Sequence, residues 1–142
     1  MVCLGNICRS PLAHGVLQHL ADSKRLAWTI DSAGTGNWHV GNPPDRRSIA
    51  IAKQYGVDIS GQRAQQFNSR HFDEYDHILV MDRENLRNVL AKAKTDEQRA
   101  RVQLFLTDDE VPDPYFDDAL FDPVYQVVAA RCGELIAEWG RD

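Results

Sequence analysis

Cys3-Leu4-Gly5-Asn6-Ile7-Cys8-Arg9-Ser10-Pro11 lies at the start of the chain and runs straight into an apolar helical pattern. It has the form C-x5-R-S. A short segment between a strand end and a helix start can curl into a bowl whose backbone N–H groups point inward, assisted by the positive end of the helix. Such a bowl suits a phosphate. Gly5 permits close backbone approach, Asn6 tolerates left-handed backbone angles, and Arg9 offers a planar fork that matches two phosphate oxygens. The same donors favour the thiolate of Cys3, which makes it a nucleophile at the base of the bowl, and Ser10 can donate a hydrogen bond to its sulfur. The expected phosphate-binding set is therefore Leu4, Gly5, Asn6, Ile7, Cys8, Arg9 and Ser10. Singly, each residue has a plainer reading: Cys3 as a core residue at a strand end, Arg9 as a surface charge, Ser10 as a helix cap. Cys3, Cys8, His14 and His19 also form C-x4-C-x5-H-x4-H. The middle spacer is too short for the ~12-residue finger pattern and the two histidines fall on different helix faces, so no metal is expected.

Outward from this string, Trp28-Thr29-Ile30, 77–81 and 102–106 are short apolar runs that predict buried strands. Helical patterns separate them. Leu12, Ala13, Val16, Leu17 and Leu20 make one helical face entered through Ser10-Pro11, where Ser can cap and Pro fits the first turn. A second helix is expected from Asp45 to Tyr55 with Gly56 as its stop, a third from Asp82 through Leu90, and a last one starting at Asp122-Pro123. Cys132 falls on the apolar stripe of that last helix and reads as core. Alternating strands and helices imply an α/β fold, a doubly wound parallel sheet with helices on both faces. Two loops stand out: 33–44, rich in Gly and Pro after a strand, where open α/β sheets place ligand contacts, and the acidic 107–121.

The 142 residues, 43% apolar and 26% charged, fit one globular domain over 1–142. Sixteen basic residues against 21 acidic ones give a net charge of −5, which excludes the broad positive field of a nucleic-acid binder, so any anion must be held locally. No apolar run approaches the ~20 residues of a membrane-spanning helix, and the amino terminus lacks a secretion signal. A cytoplasmic protein with no membrane partner is expected. Three cysteines, an odd number, are not a disulfide framework.

The cysteine string resembles the active-site loop of the low-molecular-weight protein tyrosine phosphatases. Asp31-Ser32-Ala33-Gly34-Thr35, Trp38 with Val40-Gly41, Pro44-Asp45, 78–82 with Asn85-Leu86, and Asp113-Pro114-Tyr115 resemble that family's landmarks in the family's order. The resemblance implies a four-stranded parallel sheet with the phosphate-binding loop between the first strand and the first helix. It implies hydrolysis of phosphotyrosine on a tyrosine-phosphorylated protein, releasing inorganic phosphate, with no cofactor. It makes Cys3 the nucleophile, Arg9 the phosphate-binding group and Asp113 the general acid and then base, with Trp38 and Tyr115 walling the aromatic slot. It also makes Cys8 a redox partner of Cys3. On composition alone Asp113 could not be chosen from Asp108, Asp109, Glu110, Asp117 and Asp118 in the same loop.

Two features depart from the family pattern. Only Met1 and Val2 precede Cys3, so the central strand is expected to be stunted, or the start misassigned or trimmed. Phe116 stands where many relatives carry a second tyrosine. An arsenate reductase of the same fold needs two further cysteines mid-chain, and 82–95 contains none. A protein arginine phosphatase has threonine where Leu4 stands. A non-catalytic phosphate-binding module has no use for a nucleophile and an acid together.

Overall fold

The computed structural model describes residues 1–140; the last two residues of the domain expected over 1–142 lie outside the described residues. Four short parallel strands form one sheet in the order β2-β1-β3-β4, with β1 Val2–Cys3, β2 Ala33–Gly34, β3 Ile78–Val80 and β4 Val102–Leu104. Successive side chains of a strand point to opposite faces, and this alternation divides the core in two. Val2, Ile78, Val80 and Leu104 pack with Phe67, Phe72 and Val89 on one face. Cys3, Leu79, Met81 and Phe105 pack on the other with Leu12, Val16, Val128 and Leu135. The first face is covered by α3 (His71–Glu74) and α4 (Arg83–Leu90), the second by α1 (Arg9–Ser23), α2 (Arg46–Gln54) and α6 (Phe121–Trp139). A further short helix, α5 (Asp96–Ala100), leads into β4.

The central strand is indeed short, two residues pairing with β2 on one side and with Val80 on the other. Trp28-Thr29-Ile30, expected as a strand, is not one; the strand that pairs with β1 is Ala33–Gly34. The ladder begins where the Ala33 N–H donates to the Met1 carbonyl at 2.9 Å, and among the described residues no backbone group bonds to 28–30. The apolar alternation there has another cause, because Trp28 and Ile30 lie against the core formed by α1 and α6.

Helix ends follow the sequence in part. Asp45 caps α2 by accepting from the Arg47 N–H, Asp82 caps α4 by accepting from the Asn85 N–H, and Gly56 ends the α2 segment at a φ of 82°. Ser10 is not the cap of α1. Cys8 holds that position, Arg9 is the first helical residue, and the Ser10 hydroxyl is engaged elsewhere. Likewise α6 starts at Phe121, following a 3-10 turn (Asp118–Leu120) capped by Asp117, so Asp122 and Pro123 sit inside its first turn. Cys132 is fully buried, as its place on the stripe predicts.

The strand order determines where a ligand can sit. From β1 the chain moves outward to β2 and then returns to the other side of β1 for β3, so the loops leaving β1 and β3 diverge at their carboxyl ends and leave a crevice. The cysteine loop follows β1 and Asp82 follows β3.

Candidate active site

The loop from Cys3 to Ser10 is turned inside out by its neighbours. The carbonyls of Cys3, Leu4 and Ile7 accept from the N–H groups of Thr35, Gly36 and Asp45 at 2.9, 2.9 and 2.8 Å, and the Cys8 carbonyl from the Ser48 hydroxyl at 3.4 Å. Among the described residues all peptide bonds are trans. In a trans peptide the N–H points opposite to the carbonyl, so the amides of Leu4, Gly5, Cys8 and Arg9 face away from these donors, into the bowl. The free N–H groups of the first turn of α1 add to them. Gly34 supports the bowl from behind: a Cβ there would lie 2.9 Å from the Leu4 carbonyl oxygen and 3.0 Å from the Gly5 carbonyl carbon.

Asn6 makes the turn and locks it. Its φ of 57° is left-handed, its side-chain carbonyl accepts from the Gln65 N–H at 3.0 Å, and its amide donates to the Ser10 Oγ at 2.8 Å. The Ser10 Oγ lies 3.0 Å from the Cys3 Sγ, and the Asn6 N–H donates to the same sulfur at 3.3 Å. A thiolate can only accept, and the Ser10 oxygen already accepts from Asn6, so its own proton is free for the sulfur. Two donors thus converge on Cys3. Cys8 differs: burial, then the charges of Asp45, Cys3 and Asp113, push its thiol up to about 12, so it stays protonated at neutral pH.

Arg9 is 3% exposed. One terminal nitrogen donates to the Asp82 carboxylate at 2.7 Å and to the Val111 carbonyl at 3.0 Å, and the other lies 3.8 Å from the Asp113 carboxylate. Burial works against its charge, but the neighbouring Cys3, Asp82 and Asp113 more than offset it and raise its pKa. Asp82 therefore has two jobs, since one carboxylate oxygen caps α4 while the other holds the guanidinium.

A cavity of about 180 Å³ opens above the loop. Cys3, Leu4, Gly5, Ile7, Cys8 and Arg9 line it from below, with Trp38, Asp113 and Tyr115 around the sides. Asn6 and Ser10 do not line it; they act from behind, on the sulfur and on the loop's shape. Trp38 (67% exposed) lies across Gly36, where a Cβ would strike its ring, and Tyr115 (39%) stacks on Phe116 with ring centres 4.9 Å apart. Asp113 accepts from the Tyr115 N–H at 3.1 Å, which ties the carboxylate to the ring beside it. His39 and Phe116 also line the cavity, and neither they nor the Asp82 tether follow from the cysteine string. The signal for Asp82 was present all the same: a carboxylate directly after a strand, at the point where the strand order reverses.

The opposite end of the sheet holds a larger cavity of about 440 Å³, lined by Met1, Ile30, Asp31 and Trp139 among others. It contains none of the residues singled out from the cysteine string. Among the described residues no helix is long and apolar enough to cross a membrane.

The chain has many relatives among known proteins. The low molecular weight protein-tyrosine-phosphatase YfkJ of Bacillus subtilis is 38% identical over 143 residues, covering 96% of this chain and 91% of that protein. The human low molecular weight phosphotyrosine protein phosphatase is 36% identical over 140 residues, covering 92% of this chain and 88% of its own. Among solved structures, Vibrio vulnificus Wzb in complex with benzylphosphonate superposes with a TM-score of 0.87 at 32% identity, covering 96% of this chain and 94% of that one. Residues 1–142 match the family described as low molecular weight phosphotyrosine protein phosphatase, and the chain belongs to it.

Proposed function

We propose that this enzyme hydrolyses phosphotyrosine on a tyrosine-phosphorylated protein through a phosphocysteine intermediate on Cys3. The observation that carries the reading is the convergence of Cys3, Arg9 and Asp113 on one cavity, with the Cys3 sulfur held by two donors and Arg9 fixed by Asp82. The Cys3 thiolate attacks phosphorus in line while Asp113, protonated beforehand, gives its proton to the departing phenolate. Water deprotonated by Asp113 then hydrolyses the phosphocysteine and releases inorganic phosphate. The inward amides and the free nitrogens of Arg9 hold the equatorial oxygens, an electrostatic role in which one donor is worth roughly 3–4 kcal/mol. Trp38 and Tyr115 take the ring between them, and the short stem of phosphoserine leaves its phosphorus out of reach of the sulfur. The bound benzylphosphonate of the Vibrio vulnificus protein, a ring joined to a phosphorus acid group, accords with such a slot.

Cys8 is the proposed redox partner. Peroxide oxidises the Cys3 thiolate to a sulfenic acid, and the Cys8 sulfur attacks it, expelling water and closing a disulfide. Cys132 is fully buried against the Ala13 carbonyl, so it offers no relay of the kind an arsenate reductase requires. The three cysteines are free thiols, in keeping with a reducing compartment, and the reading assigns the protein to the cytoplasm. The test is turnover of a small aryl phosphate by the wild type and by Cys3→Ser. The wild type is expected to hydrolyse it and the variant to lose at least ~1,000-fold in kcat; undiminished hydrolysis by the variant overturns the mechanism.

A further inference from the structure

Arg47 is absent from the reaction just described, yet its side chain joins Asp45 to Asp118, Tyr115 and Phe121. It sits in the first turn of α2, two residues after Asp45, whose N–H holds the Ile7 carbonyl of the cysteine loop. Its guanidinium makes a two-point contact with Asp45, Nε to one carboxylate oxygen at 3.0 Å and a terminal nitrogen to the other at 2.9 Å. The remaining terminal nitrogen donates to Asp118 at 2.6 Å. Its flat face meets two rings, with the central carbon 5.4 Å from the centre of Tyr115 and 4.6 Å from the centre of Phe121.

We infer that Arg47 is the positioning residue for the general acid, clamping the segment that carries Asp113 and Tyr115 onto the cysteine-loop side of the cavity. The inference rests on the phosphatase reading above. The path is short and entirely physical. Asp45 anchors the guanidinium to the cysteine loop; the guanidinium holds the Tyr115 ring, the Phe121 ring and Asp118; the Tyr115 N–H fixes the Asp113 carboxylate. The first of those grips falls inside the turn closed by the Asp117 N–H on the Pro114 carbonyl and the other two follow it, so the stretch directly after the acid is held. Only a guanidinium can serve, because the contact uses a planar fork, a third donor and a cation face at once, whereas an ammonium is a single point of charge. Asp113 itself is half exposed and reaches Arg9 only at 3.8 Å, so its aim depends on the segment and not on that ion pair.

The test compares Arg47→Met, Arg47→Lys and Asp118→Asn with the wild type on two aryl phosphates, one with a poor leaving group and one with a good one, and measures inhibition by inorganic phosphate. Misplacing an acid slows only the step that needs its proton. Arg47→Met is expected to lose about tenfold or more in kcat with the poor leaving group and less than about threefold with the good one, with the phosphate inhibition constant unchanged within about twofold. Arg47→Lys is expected not to rescue, and Asp118→Asn, which removes one grip, to show a smaller loss of the same kind. Equal losses on both substrates, a weakened phosphate affinity, or rescue by lysine overturns the role while leaving the phosphatase reading intact. A wild type that hydrolyses neither substrate overturns that reading and this role with it.

Discussion

Gly34 shows how one missing side chain can shape a site. The cysteine loop lies so close to β2 that a Cβ at this position would press on the Leu4 carbonyl oxygen and the Gly5 carbonyl carbon, both backbone atoms with no rotamer to escape into. Gly34→Ala is therefore expected to destabilise the protein by ~1–3 kcal/mol and to weaken inhibition by inorganic phosphate, both measurable on one preparation by denaturant titration and steady-state kinetics. Unchanged phosphate affinity would show that the loop shifts without losing its bowl. Asp113 gives the second expectation at this scale. Asp113→Asn cannot donate the proton, so it is expected to slow poor leaving groups about tenfold more than good ones; equal slowing removes Asp113 as the acid. The role of Asn6 was legible in the string, since a left-handed position that also needs a local donor and acceptor suits few residues. The location of Ser10 was not, because capping and sulfur binding call for the same hydroxyl and only the loop's path decides between them.

At the scale of elements, α4 and α1 are coupled through one carboxylate. Asp82 caps the first and holds Arg9 at the start of the second, so stability and phosphate binding can be separated by substitution. Asp82→Asn keeps a capping oxygen but loses the charge facing Arg9; it is expected to cost less than about 1 kcal/mol through the cap while weakening phosphate affinity and kcat. Asp82→Ala is expected to cost both. Thermal melts beside kinetics check this, and a variant with a lost cap but full activity contradicts the coupling. The sheet was legible at 77–81 and 102–106, apolar runs whose strands pair with each other. It was misread at Trp28-Thr29-Ile30 because periodicity reports which side chains pack, and those do, whereas a strand also requires a neighbouring backbone, which β1 supplies only beside Ala33 and Gly34. The short helices α3 and α5 carry too few turns to leave a period in the sequence.

Across the whole molecule, two histidines are better off without a proton in the fold. Burial lowers the pKa of His14 and His71. Each is a base whose folded value lies below its unfolded one. Their stabilising effect is full at pH values above the unfolded ones and is lost as pH falls through the window and the unfolded chain takes up protons first. Unfolding free energy is thus expected to fall as pH drops below about 7 and the histidines of the unfolded chain take up protons first. Urea titrations between about pH 8 and about pH 5 check it, and a profile that stays flat or rises as pH falls contradicts the burial of the two histidines. The net charge of −5 acquires a definite meaning here. On the proposed function, an acidic molecule holds its anion by concentrating inward amides and one braced arginine in a single bowl, while the acidic loop opposite supplies the proton.

The central claim is that phosphorus passes through the Cys3 sulfur. Rapid acid quenching during turnover of an aryl phosphate, followed by peptide mass spectrometry, tests it directly. The account predicts one phosphoryl group on the peptide that contains Cys3, at the cysteine itself, in the wild type and none in Cys3→Ser. Steady turnover with no phosphoryl group on Cys3, and full activity in the Cys3→Ser variant, would contradict it.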